Sequence, residues 1–247
     1  MHIEYAGSSR IGKRRRNEDR YYLPVEGGPP DLMMVADGMG GHQGGDVASA
    51  FGVQVACDSI LHSRGKDPGE RLVEAVREAN RVIFRESLEK LEYDGMGTTM
   101  TLALTEKKKW FIAHVGDSRA YAYENGVIRQ VTEDHSLVAE MEKAGSITHA
   151  QARIHPHRNI ITRAVGTEPE IDVDLYEVPM LPGQVLMLCS DGLTDPIDDD
   201  ELAQMLGSGA ALSEIAETLV YMAENLGGKD NITVVLARVE EEVSAHG

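Results

Sequence analysis

The segment Leu32-Met33-Met34-Val35-Ala36 is a short apolar run that ends in Asp37-Gly38-Met39-Gly40-Gly41-His42. The apolar run has the length and composition of a β-strand, and the glycines that follow it indicate a turn. A carboxylate at a strand end is held by a rigid scaffold, and the adjacent glycine lets a backbone carbonyl or a water approach a metal. The segment therefore predicts a strand that presents Asp37 at its end.

Three further aspartates have the same placement at strand ends: Asp191 follows an apolar run, Asp117 joins two predicted strands, and Asp230 precedes the last strand. Taken singly, each is compatible with an ordinary turn. Four aspartates at strand ends, together with Glu18 and Asp19 near the start of the chain, favour one shared cluster of carboxylates. Because close like charges repel, the cluster predicts bound cations, and oxygen ligands suit Mg²⁺ or Mn²⁺.

The chain has 247 residues, 42% of them hydrophobic, and no linker interrupts it, which predicts one domain over residues 1–247. Its formal net charge is −17, from 41 acidic and 24 basic residues. This charge argues against a nucleic-acid partner, whose phosphates would be repelled. The acidic excess fits a well-solvated surface as well as it fits metal binding.

The cysteine content and the hydropathy of the chain indicate the cellular compartment in which the protein is expected. Cys57 and Cys189 lie far apart within apolar runs, so neither a disulfide framework nor a cysteine zinc site is indicated. The polar N-terminus lacks the apolar core of a signal peptide, and no run of about 18 apolar residues follows. The sequence therefore predicts a reduced, cytoplasmic protein that does not span a membrane.

Alternating apolar positions predict strands, and apolar stripes at helical spacing predict two pairs of helices. Antiparallel strands combined with paired helices indicate an α+β layered sandwich. Residues 145–162 fit neither period and predict a flap with a short helix beside the site. In this flap His155 and His157 lack a nearby third ligand, which favours flap residues over a zinc pair. The strands are predicted at 32–36, 98–104, 110–115, 119–123, 127–131, 171–178, 185–189 and 232–239, and the helices at 47–61, about 72–83, 201–206 and 212–226.

Eight short motifs follow one another along the chain: Arg14-Arg15-Arg16-Asn17-Glu18-Asp19, VADGMGGHQGG from Val35, GTTM from Gly97, VGDSRAY from Val115, TEDHS from Thr132, ITRAVG from Ile161, CSDGL from Cys189 and KDNIT from Lys229. This ordered set resembles the motif series of the metal-dependent protein phosphatases (PPM, type 2C), and DGMGGH resembles their bacterial branch. Each motif is weak alone, whereas the ordered set is specific. The resemblance implies a four-layer αββα sandwich of two antiparallel sheets flanked by helix pairs.

The resemblance also implies roles for the aspartates at the strand ends. Asp37 would bridge two metals, with the carbonyl of Gly38 on one of them. Asp191 and Asp230 would bind the other metal. The implied cofactors are two core Mn²⁺ or Mg²⁺ ions and a weaker third ion.

Four other residues take roles from the same resemblance. Glu18 and Asp19 would bind the second metal directly or through water, and Asp117, with Asp191, would help to hold the third. Arg14 sits where the family places its phosphate-binding arginine, although a solvated basic run is the alternative for residues 13–16.

The implied activity is hydrolysis of phosphoserine and phosphothreonine in proteins by a water that bridges two metals. The implied partners are a eukaryotic-like bacterial Ser/Thr kinase and its phosphorylated substrates, and we expect a monomer. Some family members carry a histidine directly after the Asp-Gly pair, where this chain has Met39. The general acid therefore stays open between His42 and a metal-bound water.

Two rival functions follow from the same residues. A catalytically silent binding module is disfavoured because all four core aspartate positions are occupied. A nuclease with a two-metal site is disfavoured by the net charge of −17.

Overall fold

The protein, described here by a computed structural model, is defined at residues 2–40, 44–63 and 65–240. Its strands form two antiparallel sheets that face each other across a shared apolar layer, and helices cover their outer faces. The predicted four-layer αββα sandwich is confirmed. In chain order the strands are β1 (Ile3–Arg10), β2 (Asp19–Tyr22), β3 (Leu32–Met39), β4 (Gly97–Thr98), β5 (Met100–Glu106), β6 (Lys109–Val115), β7 (Arg119–Glu124), β8 (Val127–Gln130), β9 (Asp174–Pro179), β10 (Val185–Cys189) and β11 (Ile232–Val239).

The helices lie outside the sheets. Helices α1 and α2 pack on each other and on the sheet that contains β3, whereas α6 and α7 pack on the sheet that contains β11. Among the described residues, no helix combines the length and apolar character needed to cross a membrane. In chain order the helices are α1 (Gly44–His62), α2 (Pro68–Glu89), α3 (Leu137–Lys143), α4 (His149–Arg153), α5 (Asp191–Thr194), α6 (Asp199–Leu206) and α7 (Leu212–Asn225).

Neither sheet follows the order of the chain. The first sheet runs β1-β11-β10-β7-β8, and the second runs β2-β3-β5-β6-β9, with β4 paired to β3. Strand β1 pairs with β11 along its whole length, from Ile3 against Val239 to Arg10 against Ile232. Between β6 and β7 the chain crosses from the second sheet to the first, so the predicted turn at Asp117 connects the two layers.

Strand β3 is buried on both of its faces, which explains why its sequence is a continuous apolar run. Leu32 and Met34 pack against helices α1 and α2, whereas Met33 and Val35 pack into the layer between the sheets. All four side chains are fully buried. A continuous apolar run is what such a strand requires, because successive side chains point to opposite faces.

The prediction of half-buried strands is wrong for the central strands. Ile232, Val234 and Leu236 of β11 do share one face, as predicted, and that face packs under α7. The opposite face of β11 is also buried, because it packs against the second sheet. A four-layer sandwich covers each sheet on both sides, which a single strand's alternation does not reveal.

Other differences occur where the local pattern is weak. Strands β1 and β2 were not predicted, because they lie at sheet edges and few of their residues are buried. Strand β9 begins at Asp174, later than the predicted residue 171, and helix α3 was not predicted. The predicted hairpin is confirmed: Asn125 and Gly126 have φ of 50° and 84° between β7 and β8.

Candidate metal and phosphate site

Two of the predicted carboxylates are register partners in neighbouring strands. Asp19, the first residue of β2, lies opposite Asp37 near the end of β3. The backbone N–H of Gly38 donates to the carbonyl of Glu18 at 3.2 Å, which continues the pairing beyond this position. The side chains of Asp19 and Asp37 therefore belong to one corner of the second sheet.

The chain approaches itself closely around Gly38. A Cβ atom added at Gly38 would lie 2.0 Å from the carbonyl oxygen of Gly45, and one added at Gly45 would lie 2.8 Å from that of Gly38. Only glycine fits such contacts between backbones. These two residues let the start of α1 pack directly on the turn that follows Asp37.

Asp191 comes from the other sheet, at the start of α5 directly after β10. A Cβ atom at Gly192 would lie 1.9 Å from the carbonyl oxygen of Asn231, so glycine is required there as well. This contact brings α5 against the turn that carries Asp230. The corner therefore collects carboxylates from both sheets.

Arg14 contacts the same turn. Its guanidinium donates to Oδ2 of Asp230 at 2.6 Å, and this hydrogen bond is the main cause that raises the pKa of Arg14. The charges of Asp191 and Asp37 contribute to the same shift, although less than Asp230 does. The structure thus brings the predicted arginine to the edge of the carboxylate cluster, and Lys13 has no such contact among the described residues.

The cluster is electrostatically unfavourable without added positive charge. Burial, reinforced by the neighbouring carboxylates, raises the pKa of Asp37 and Asp191 well above the ordinary value. Burial likewise raises the pKa of Asp19 to about 6. Burial also raises the pKa of Glu18, which lies at the margin of the cluster. Removal of water disfavours the charged form of a carboxyl group, and close like charges add to that cost.

Asp117 occupies the turn between the two sheets and is 8% exposed. Burial, followed by the nearby charge of Asp134, raises the pKa of Asp117 to about 7. Asp134 is itself bound by Arg119 through hydrogen bonds of 2.7 to 3.0 Å. The carboxyl group of Asp117 contributes to the raised pKa of Asp191, so the two side chains are neighbours.

The donor set fits hard divalent cations. The Oδ1 atoms of Asp19 and Asp191 are buried and have no hydrogen-bond partner, although buried polar atoms are normally paired. Within the described part of the chain, no three His, Cys, Asp or Glu side chains form a ready-made cage around one point. Mg²⁺ and its analogues keep several waters, so they suit an open group of carboxylates with a backbone carbonyl such as that of Gly38.

The predicted flap contains α4 and a turn that holds His155 and His157. Their rings are 5.6 Å apart, and no third metal-binding side chain joins them among the described residues. The flap contacts the segment after α5: Arg153 donates to the carbonyl of Asp195 and Arg158 to its carboxylate, both at 3.3 Å. The flap therefore borders the carboxylate cluster. His42 lies outside the described residues.

Three polar side chains that sequence reasoning did not single out hold the site together. Asn231 accepts from the N–H of Glu18 at 2.8 Å and donates to two carbonyls of the loop that carries Arg14. Ser190 donates to Oδ2 of Asp19 at 2.8 Å, and Thr99 accepts from the N–H of Asp37 at 2.9 Å. All three lie inside the motifs KDNIT, CSDGL and GTTM, so their position in the motifs was the available signal.

Comparison with known proteins identifies the family. The family model for protein phosphatase 2C matches residues 6–233. The serine/threonine phosphatase stp of Listeria monocytogenes serotype 4b (strain F2365) is 39% identical over 251 aligned positions, which cover 100% of this chain and 98% of that protein. The chain therefore belongs to the protein phosphatase 2C family, and the predicted enzyme class, a protein phosphatase, is confirmed.

Solved structures agree in fold. The crystal structure of the Mycobacterium tuberculosis serine/threonine phosphatase PstP/Ppp superposes with a TM-score of 0.89 at 35% identity, covering 97% of this chain and 99% of that chain. A second structure, of the catalytic domain of PstP in complex with two manganese ions, gives a TM-score of 0.87 at 33% identity, with coverage of 97% and 99%.

Proposed function

We propose that the protein is a metal-dependent protein-serine/threonine phosphatase, which hydrolyses phosphoserine and phosphothreonine in other proteins. The observation that carries this proposal is the carboxylate cluster beside Arg14, in which one oxygen of Asp19 and one of Asp191 are buried without a hydrogen-bond partner, in a chain of the protein phosphatase 2C family. The chain acts as one catalytic domain, because strands from its two ends pair along their full length.

Carboxylates from both sheets would hold the two core cations. Asp37 and the carbonyl of Gly38 would be ligands on one side of the cluster, and Asp191 and Asp230 would be ligands on the other. Asp19 and Glu18 would complete the coordination directly or through water. The orphaned oxygens of Asp19 and Asp191 and the raised pKa values of the cluster support this assignment. The two manganese ions in the PstP structure support Mn²⁺ here, and Mg²⁺ has the same ligand preference.

A third, weaker cation is assigned to Asp117 together with Asp191. The pKa of Asp117 is raised to about 7, chiefly by burial. A site with two protein carboxylates depends more on water ligands than the core pair does, so it binds its cation less tightly.

Arg14 binds the phosphate group of the substrate. Its planar guanidinium presents donors that match two phosphate oxygens, and it already donates to Asp230 at the edge of the cluster. Its charge stabilises the equatorial oxygens as they become more negative in the transition state. When bound, the cations lower the pKa of a coordinated water and so supply hydroxide near neutral pH.

In the reaction, oxygen from water forms a bond to phosphorus while the bond from phosphorus to the serine or threonine oxygen breaks. The products are inorganic phosphate and the free hydroxyl side chain, which takes up a proton. His42 and a water are the two candidates for the proton donor. A loss of turnover in His42→Gln that is largest at low pH, where an imidazole carries a proton to donate, and that shrinks as pH rises would assign the role to His42.

The substrates are phosphorylated proteins, and we infer that a Ser/Thr kinase of the same cell supplies them. We further infer that the enzyme works in the cytoplasm as a monomer. A nuclease activity is disfavoured, because a net charge of −17 repels a polyphosphate chain.

Hydrolysis of phosphoserine, phosphothreonine and phosphotyrosine peptides, with and without Mn²⁺, tests the proposal. We expect hydrolysis of the first two classes, complete loss of activity in excess chelator and recovery with Mn²⁺ or Mg²⁺. Full activity after rigorous metal removal would contradict the metal-dependent mechanism, and absence of hydrolysis at saturating Mn²⁺ would contradict the phosphatase assignment.

A further inference from the structure

A groove of about 480 Å³ is lined by the Arg14–Asp230 pair and by residues of the flap. One wall comes from the flap and includes Arg153, Ile154 and Arg158. The other wall is the turn after α7, which includes Leu226. Because Arg14 and Asp230 line it, the groove adjoins the carboxylate cluster, so a peptide whose phosphate binds at the cluster can extend its neighbouring residues into the groove.

The groove is basic on a strongly acidic protein. Four cations line it, Arg14, Arg153, Arg158 and Lys229, whereas the protein as a whole has 41 acidic and 24 basic residues. Its two carboxylates are both paired, Asp230 with Arg14 at 2.6 Å and Asp195 with Arg158 at 3.3 Å.

Two of the four cations have no carboxylate partner within the described ranges. Arg153 donates to the backbone carbonyl of Asp195, and Lys229 has no ion pair. Both side chains are exposed and are available to an acidic ligand.

Apolar surface lies next to these cations. Ile154 is 81% exposed and Leu226 is 57% exposed, and both line the groove. Exposed apolar surface that is rimmed by polar residues is typical of an interaction site. A ligand that matches the groove therefore combines negative charge with an apolar side chain.

We propose that this groove, lined by Arg14, Arg153, Ile154, Arg158, Leu226 and Lys229, selects phosphorylated protein segments that carry acidic residues and one aliphatic residue beside the phosphorylated position. The proposal rests on the proposed phosphatase activity and adds a substrate class to it. A protein segment is favoured over a nucleic acid because only a protein segment supplies an aliphatic side chain that can contact Ile154 and Leu226.

The test uses phosphothreonine peptides of equal length in three versions: one with acidic neighbours and a leucine, one with the acids replaced by their amides, and one with the leucine replaced by serine. p-Nitrophenyl phosphate serves as the reference substrate, because it has no flanking residues that could contact the groove. We expect the acidic, leucine-containing peptide to have the highest kcat/KM, with up to about fivefold for each acidic residue that pairs with a groove cation. This preference should weaken as salt is added.

Variants connect the preference to the groove. Arg153→Glu should remove most of the preference for acidic neighbours, and Ile154→Ser should remove the preference for leucine. Both should leave hydrolysis of p-nitrophenyl phosphate unchanged. Arg85→Glu is the matched control, since Arg85 is an exposed cation on α2, in the opposite outer layer of the sandwich.

The outcomes separate the two proposals. If no substrate is hydrolysed at saturating Mn²⁺, the phosphatase function fails. If all peptides are hydrolysed equally, or if the preference survives Arg153→Glu and Ile154→Ser, the function stands and the groove assignment is overturned. A dimer in sedimentation that Ile154→Ser dissociates, or inhibition by a single-stranded oligonucleotide that Arg153→Glu relieves, would assign the groove to another occupant and would overturn it as well.

Discussion

Asp19 and Asp37 lie opposite each other across β2 and β3, so the pairing of two strands, rather than a shared loop, brings their carboxyl groups together. Each of these carboxyl groups has a raised pKa, for which burial is the largest cause. A site built on strands is held more precisely than one built on loops. In the metal-free protein these carboxyl groups retain protons more readily than an exposed aspartate, and bound cations would offset the cost of their deprotonation.

Asp37→Asn should lower turnover on phosphothreonine peptides by roughly 100-fold or more, since metal ions supply several kcal/mol of transition-state stabilisation. The variant should stay folded, because Asp37 is partly exposed at the cleft. Calorimetric titration with Mn²⁺ and steady-state kinetics measure both effects. Asp191→Asn should behave alike. Turnover near that of the wild type at saturating Mn²⁺ would show that the substituted residue is not a metal ligand.

Arg14→Ala should raise KM for phosphopeptides by about tenfold to a hundredfold, the range expected for losing charge-assisted hydrogen bonds to phosphate. Lys13→Ala is the matched control and should have little effect, because Arg14 but not Lys13 contacts Asp230. Arg14→Lys should recover only part of the loss, since lysine lacks the planar fork. Equal, small effects of Arg14→Ala and Lys13→Ala would show that Arg14 does not bind phosphate and that residues 13–16 are solvated surface charge.

Asp117→Ala should leave the two tight cations in place and still lower turnover strongly. The reason is that Asp117 adjoins Asp191 at the edge of the cluster, where a third cation with more water ligands would bind weakly. Added Mn²⁺ should rescue only part of the activity. Metal titration of the variant decides the assignment: loss of tight binding would place Asp117 among the core ligands, and unchanged kinetics would leave it a structural turn residue.

The metal-free protein should lose stability as pH rises from about 4 to about 7. Asp19 and Asp117 keep their protons until about pH 6 and pH 7 in the folded protein, whereas an unfolded aspartate titrates near 3.9. In this window the folded state binds more protons than the unfolded state, so the free energy of unfolding falls with rising pH.

Excess Mn²⁺ should reverse this trend, because the cations bind the deprotonated carboxylates. Thermal unfolding at pH 5 and pH 7.5, with chelator or with Mn²⁺, measures both effects. Asp19→Asn should flatten the pH dependence, while Asp94→Asn, an exposed aspartate outside the cluster, should not. A metal-free protein that becomes more stable between these pH values would contradict the assignment.

The sequence by itself determined the positions of several strands, one hairpin turn and the aspartates that stand at strand ends. Apolar runs located β10 and β11 at their observed bounds, and the Asn125-Gly126 turn specified its hairpin through local backbone preference. Such features depend on residues that are neighbours in the chain, so they can be predicted from short windows.

Only the tertiary structure decided which of these strands and turns contact one another. The edge strand β2 has too few buried residues for a sequence signal, although it places Asp19 opposite Asp37. The hydrogen bonds of Asn231 to the loop of Arg14 join segments from opposite ends of the chain. Such contacts arise from packing between distant segments, whose register and close approach no local pattern encodes.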